Sequence, residues 1–360
     1  MKFEIDPDIA KAKTLSTDFY LNPVHFEAAK EKIFAQSWQY IGDTDQVKEV
    51  GWTTPVNLLE DYLNEPLVVT RDKENKIHCL SNVCTHRGNI IVERPCKIHD
   101  LRCKYHGRRF NLDGSFASMP EFKEVENFPT ASDDLTKLPI HQLGKWLFTS
   151  LSNNKRADDF FGDMQKRIGW LPFEQFQFRS DLSKDYIVEA NWALYCENYL
   201  EGFHIPFVHA GLNAIIDYGN YTTELFKYSN LQLGLAKEDD TIIFDLPSSS
   251  VDYGKRVAGY YFWVFPNIMF NFYPWGLSIN VIRPLELSKT KVSFLSYVWD
   301  ESKLRQGAGA NLHQVEMEDE DVVQHVQKGI RSRFYTHGRY SVKREQGTHH
   351  FHRLIAEFMN

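Results

Sequence analysis

Two short loops constrain this chain more than any other feature. Cys84-Thr-His86 and Cys103-Lys-Tyr-His106 each offer one thiolate and one imidazole, and sixteen residues separate them. Thiolates and imidazoles so spaced hold a metal or a cluster. Zinc accepts such a set, but zinc fingers usually draw two Cys from one short motif and two His from another. Here each loop gives one of each. That suits a [2Fe–2S] cluster with both thiolates on one iron and both imidazoles on the other. The surrounding sequence reads as short strands near 38–41, 51–58, 67–71 and 77–80, with polar turns at 72–76 and 111–114.

The flanks C-T-H-R-G and C-x-Y-H-G-R-x-F resemble those of a Rieske domain. Cys96-Lys-Ile-His99 is also C-x-x-H, but it lacks the Gly after His and the following aromatic strand, so both residues are expected to be structural. High-potential Rieske proteins carry an extra Cys in each loop, where this chain has Asn89 and Tyr105; their Ser donor is replaced by Arg108. Fewer donors to the cluster imply a lower potential, which fits oxygenases better than a respiratory complex.

A second constellation lies in Asn191–His209, where Glu197, Glu201, His204 and His209 interrupt an apolar, aromatic run. Read as one helix from Asn191 to Ile205, residues 197, 201 and 204 share a face. Acids and an imidazole among bulky apolar groups need a compensating charge, which a divalent metal supplies. Pro206 should end or kink the helix and turn His209 back toward His204. Two imidazoles with one carboxylate leave half of an octahedral iron open, as in non-haem Fe(II) oxygenases.

The carboxylate is sought in the acidic run Glu316–Asp321. Leu312, Val315, Val322, Val323, Val326 and Ile330 form a stripe at helical spacing, with Asp319 near its middle. Glu318, Glu320 and Asp321 are expected to point away, and Glu316, at the edge of the stripe, is the alternative ligand. In the Rieske oxygenase family, which the chain resembles over most of its length, the third ligand follows an E-D pair before a Q-x-G-like motif, here Glu318-Asp319 and Gln327-Lys-Gly329. The resemblance thus implies iron ligands His204, His209 and Asp319, and cluster ligands Cys84, His86, Cys103 and His106. It also implies that Glu201 links an iron histidine to a cluster histidine of the neighbouring subunit, hence a homotrimer. The role of Glu197 is left open, with structural salt bridging as the bland reading, and His349, His350 and His352 near the C-terminus are expected to be structural.

The expected architecture is α+β: a helical segment over 1–37, a small all-β Rieske domain over 38–155, and a helix-grip catalytic domain over 156–360. The net charge is -7 with no basic block, so no nucleic-acid partner is indicated. No apolar run approaches the ~20 residues of a membrane span. Five scattered cysteines and an acidic start suggest a cytoplasmic protein without a disulfide framework. Neither a dinucleotide fingerprint nor a second cluster's cysteines are present, so electrons must come from a separate reductase or ferredoxin. The resemblance implies a terminal oxygenase, and the aromatic 259–284, with its F-P-N-I-M segment, looks like the choline and carnitine branch, with Tyr260, Trp263, Tyr273 and Trp275 as the candidate cage for a quaternary amine. An aromatic-ring hydroxylase is the rival enzyme; an electron-transfer module or a zinc-binding structural protein is the rival outside catalysis.

Overall fold

The computed structural model describes residues 2–238 and 240–360. The chain divides into two units, Ala35–Lys155 and, jointly, Met1–Phe34 with Arg156–Asn360, so the first is an insertion in the second. Antiparallel sheets make the first and antiparallel sheets with helices the second, and the class is α+β.

The inserted unit is all β apart from short turns. A five-stranded sheet runs Cys96–Lys97, Trp52–Leu58, Glu65–Arg71, Ile77–Ser81, Lys137–Leu138, flanked by two three-stranded sheets. The Cys84 and Cys103 thiols lie in one apolar core with Val68, Leu80, Leu101 and Phe110. Trp52, Val56 and Ile77 pack on a second core around Val69 and Leu147.

In the larger unit, helices α1 (Thr17–Leu21) and α2 (Pro23–Ala29) open the chain. Asn22 accepts from Val24 N at 3.0 Å and Pro23 takes the first helical turn, which fixes the start of α2. It then widens into a π-helical turn over Lys30–Phe34. Helix α3 (Asp158–Ile168) buries Phe160, Phe161, Met164 and Ile168.

The sheet behind the site is an antiparallel meander. Its order is Gln177–Phe178, Lys289–Val298, Gly276–Glu286, Ile268–Tyr273, Val257–Val264, Ser229–Leu235, Thr222–Leu225, and Lys184–Val188 also pairs with Lys289–Val298. Strands 257–264 and 268–273 are buried at every position. That explains their unbroken aromatic and β-branched runs: elements cover both faces, so polar alternation is lost.

The unit's later helices are α4 (Trp192–Tyr199), α5 (Ile205–Val208), α6 (Ala210–Ile215), α7 (Leu312–Gly329) and, at the C-terminus, α8 (Gln346–Met359). Asn191 caps α4 and ties three parts together: it accepts from Ala193 N at 3.0 Å, donates to Leu287 O at 3.0 Å, and its own N–H reaches Gln327 Oε1 of α7 at 2.8 Å. Phe351 of α8 packs edge-on against Trp192 and Trp263, with ring centroids 5.8 and 5.2 Å apart. Gly347 lets α8 start against the end of α4, since a Cβ there would stand 2.2 Å from Leu200 O.

Candidate active site

Two ring nitrogens and a carboxylate oxygen converge beyond the end of α4. His204 Nε2 and His209 Nε2 are 3.1 Å apart. Asp319 Oδ1 stands 3.0 Å from the His209 atom and 3.5 Å from the His204 atom. Each ring's other nitrogen faces a carboxylate: His204 Nδ1 is 2.8 Å from Glu201 Oε1, and His209 Nδ1 is 2.7 Å from Glu318 Oε2. Those partners favour the Nδ1–H tautomer in both rings. Both Nε2 lone pairs then aim at the point that Asp319 Oδ1 also faces. Asn198 of α4 donates to that oxygen at 2.6 Å and orients it.

Convergent lone pairs need a cation among them. Burial works to lower the His209 pKa, yet Asp319 and Glu318 outweigh it and raise it above the ordinary imidazole value. The donor set, two imidazole nitrogens and one carboxylate oxygen, fits Fe(II) with open positions.

The helix expected to run on to Ile205 stops at Tyr199. Leu200 N donates back to Cys196 O and Glu197 O, both at 3.1 Å. The Glu201 carboxylate then accepts from the backbone N–H of Phe203 and of His204. Such side-chain bonding competes with the helical ladder. Glu197 therefore does not share a helical face with Glu201 and His204. Pro206 does not end the helix; it sits in the first turn of α5, where its missing N–H costs nothing. This short helix turns His209 back toward His204.

Glu197 faces elsewhere. It accepts from Tyr20 OH at 2.6 Å and lies 3.1 Å from His352 Nε2. His352 Nδ1 is 2.6 Å from Tyr340 OH, and His349 Nε2 is 2.8 Å from Asp6 O. No tail histidine joins the converging set.

Helix α7 departs from its expected stripe. Its buried residues are Glu316, Glu320, Val323 and Gln327, whereas Val326 is exposed. Inward positions carry acids because this face covers a polar site: Glu316 Oε2 accepts from Tyr195 OH at 2.5 Å. Glu318, expected to face water, holds His209. Burial would raise the Glu318 pKa, but its bonds to His209 and Gln314 keep it below the usual carboxylate range. Nothing in a run of acids marks Glu318 as the one with an imidazole partner.

In the inserted unit the two loops are alike. Gly88 N donates to Cys84 O at 2.9 Å, and Gly107 N to Cys103 O at 3.0 Å. Both glycines have positive φ, +70° and +76°, which other residues rarely adopt. The Cys84 and Cys103 thiols are buried, His86 is half-buried and His106 is exposed. The two rings lie 4.7 Å apart by centroid. This donor set fits a cluster with a buried thiolate iron and an outward imidazole iron. Asn89 Nδ2 donates to Cys103 Sγ at 3.7 Å, so the residue in place of the extra Cys is itself a weak donor. Arg108 is buried, paired with Asp133 at 2.7 Å and set among the rings of Phe110, Phe116 and Phe128. Cys96 bonds with Thr53 and His99 is exposed, so neither joins the loops.

The converging atoms open onto a cavity of about 100 Å³. Tyr199, Tyr221, Tyr261, Tyr273 and Phe294 supply its aromatic wall. Of the four aromatics singled out in the sequence, only Tyr273 lines it. Tyr260 faces the other side of its strand, bonded to Asp252 at 3.1 Å. Trp263 is covered by Phe351, and Trp275 stacks behind Tyr273 at 5.4 Å. Strand parity exchanges Tyr260 for Tyr261, and sequence alone does not say which face meets the site.

Residues 173–360 match the family described as ring hydroxylating alpha subunit (catalytic domain), and residues 37–129 match the Rieske [2Fe-2S] domain. The chain belongs to the Rieske oxygenases. This oxygenase is an enzyme whose class carries a Rieske [2Fe–2S] cluster and a mononuclear iron. It is 29% identical over 377 residues to chloroplastic choline monooxygenase from Arabidopsis thaliana, spanning 98% of this chain and 85% of that protein. It is 26% identical to the carnitine monooxygenase oxygenase subunit of Acinetobacter baumannii, spanning 99% and 97%. Its fold is similar to that of the quaternary ammonium Rieske monooxygenase CntA crystallised with L-carnitine, at 23% identity and a TM-score of 0.75, covering 99% of this chain and 97% of that one. Among the described residues no helix is long and apolar enough to cross a membrane.

Proposed function

We propose that this oxygenase hydroxylates or oxidatively demethylates a small quaternary amine. Its electrons come one at a time from a separate reductase or ferredoxin. Cys84 and Cys103 hold one cluster iron, His86 and His106 the other, and His204, His209 and Asp319 hold the mononuclear iron. The observation that carries this reading is the convergence of those three ligand atoms at a small aromatic cavity. Bound there, iron supplies the activation of dioxygen. The chain supplies the rest. Glu201 and Glu318 fix the two imidazoles, Asn198 orients the carboxylate, and the tyrosine wall excludes water and offers ring faces to a cation. The relatives' named substrates, choline and carnitine, support the substrate class.

Glu201 also serves electron transfer. Its Oε1 accepts from His204 and keeps a second lone pair for a cluster histidine of a neighbouring subunit. Phe203 and Phe207, beside it, are exposed, as an inter-subunit surface requires. A homotrimer closes such a head-to-tail contact into a ring. All five cysteines are unpaired, in keeping with a reducing compartment such as the cytoplasm.

Metal analysis of the wild type should find about three irons per chain, two of them in a red-brown cluster. His204→Ala should keep the colour, lose one iron and lose turnover. Loss of the colour would break the assignment of two separate sites. Oxygen uptake with a surrogate reductase should respond to quaternary amines; a response to aromatic acids alone would replace the substrate reading by ring hydroxylation.

A further inference from the structure

Glu316 is the cavity's unexplained group. It is 1% exposed, stands in the cavity wall, and is not one of the converging iron-site atoms. Tyr195 OH holds its Oε2, while its Oε1 has no hydrogen-bond partner among the described residues. A buried carboxyl with one oxygen unsatisfied is costly unless a ligand completes it. Among the described residues the cavity's charged side chains, besides the histidines, are Glu201, Glu316 and Asp319, and neither Lys nor Arg lines it. Burial, with Asp319 and Glu320 nearby, raises the Glu316 pKa well above the ordinary carboxylate value against the bond from Tyr195, so an ammonium group beside it favours the charged form and supplies the missing partner; the rings of Tyr261 and Tyr273, 5.8 Å apart at 74°, add two faces to the same space.

We infer that Glu316, oriented by Tyr195, is the residue that reads the substrate's positive charge, and that the cavity selects a cationic amine without a carboxylate. This rests on the quaternary-amine reading and narrows it. A zwitterion would bring its own carboxylate into a cavity that holds three acids and no Lys or Arg to pair with it.

Calorimetric binding tests this apart from turnover. The iron-loaded enzyme is titrated with choline, with its uncharged carbon analogue 3,3-dimethylbutan-1-ol, and with the zwitterion gamma-butyrobetaine. The wild type should bind choline at least about tenfold more tightly than either. Glu316→Gln, which preserves shape and the bond from Tyr195, should weaken choline at least about tenfold and leave the uncharged analogue unchanged. Tyr195→Phe should weaken choline less. Equal iron content and melting temperature establish that each variant is folded. Choline bound equally by wild type and Glu316→Gln would overturn the role of Glu316 and leave the quaternary-amine reading standing. Tighter binding of gamma-butyrobetaine than of choline would overturn the selection against a carboxylate. A wild type that binds no cation would overturn the quaternary-amine reading itself.

Discussion

A carboxylate stands behind each converging imidazole: Glu201 behind His204 and Glu318 behind His209. Each acid decides which ring nitrogen carries the proton and raises the basicity of the other. The acids differ in setting. Glu201 spends one oxygen on two backbone N–H groups, so it shapes the chain as well as the ring. Glu318 acts on His209 alone among imidazoles, with Gln314 Nε2 on its other oxygen at 2.9 Å. Glu318→Gln should therefore weaken iron binding about 10–100-fold while the cluster spectrum stays the same. Competition with a chelator measures it, and an unchanged iron affinity would remove Glu318 from the site. The residues that the fold brings together at each candidate centre were legible in the sequence, because thiolates, imidazoles and an E-D pair carry their chemistry wherever they sit. The role of Glu318 was not, because a helix with successive acids offers several candidates and only packing selects one.

At the level of elements, the site depends on a helix that stops early. Tyr199 ends α4, and the ten residues from Leu200 to His209 deliver both imidazoles from irregular chain and a four-residue helix. Helix α8 braces that break, with Gly347 against Leu200 and Phe351 against Trp192. The same helix carries a pH dependence. Burial pushes the His350 imidazole down to about 4 from 6.5; Arg353 and His349 push the same way, and a hydrogen bond with the Lys227 backbone opposes them. Below 6.5 the unfolded chain takes up a proton that the folded chain refuses, so stability falls as pH drops from 6.5 toward 4. His350→Gln should flatten that slope in melting temperatures taken from about pH 7.5 to about pH 5. Equal slopes in the two proteins would exclude His350 as their source. Strand positions were readable from aromatic and β-branched runs, but helix ends were not. Side-chain bonds such as that of Glu201 to Phe203 N terminate a ladder that apolar spacing would continue.

For the whole molecule, the question is how electrons reach the iron. The cluster residues belong to the inserted unit and the iron residues to the unit that surrounds it in sequence. The proposed route runs between chains through Glu201. On the proposed assignment Cys84→Ser chains should lack a cluster and His204→Ala chains the mononuclear iron, so each variant alone should be inactive. Co-expressed, they should recover part of the wild-type turnover, because an intact iron can then neighbour an intact cluster. Adding Glu201→Gln to the Cys84→Ser chain should abolish the recovery, and adding it to the His204→Ala chain should not. Oxygen uptake by the purified mixed oligomer reads all arms. An inactive mixture would overturn the inter-subunit route.

The sequence by itself determined the two donor sets, the class of chemistry and the alternation of strand-rich and helical regions. These follow from residue type and short spacing, which act locally. The tertiary structure alone decided that Glu316 and Glu320 turn inward, that Tyr261 rather than Tyr260 lines the cavity, and that Glu318 holds His209. Those outcomes depend on which distant segment covers a given face, and burial, partner and tautomer are set only when that segment arrives.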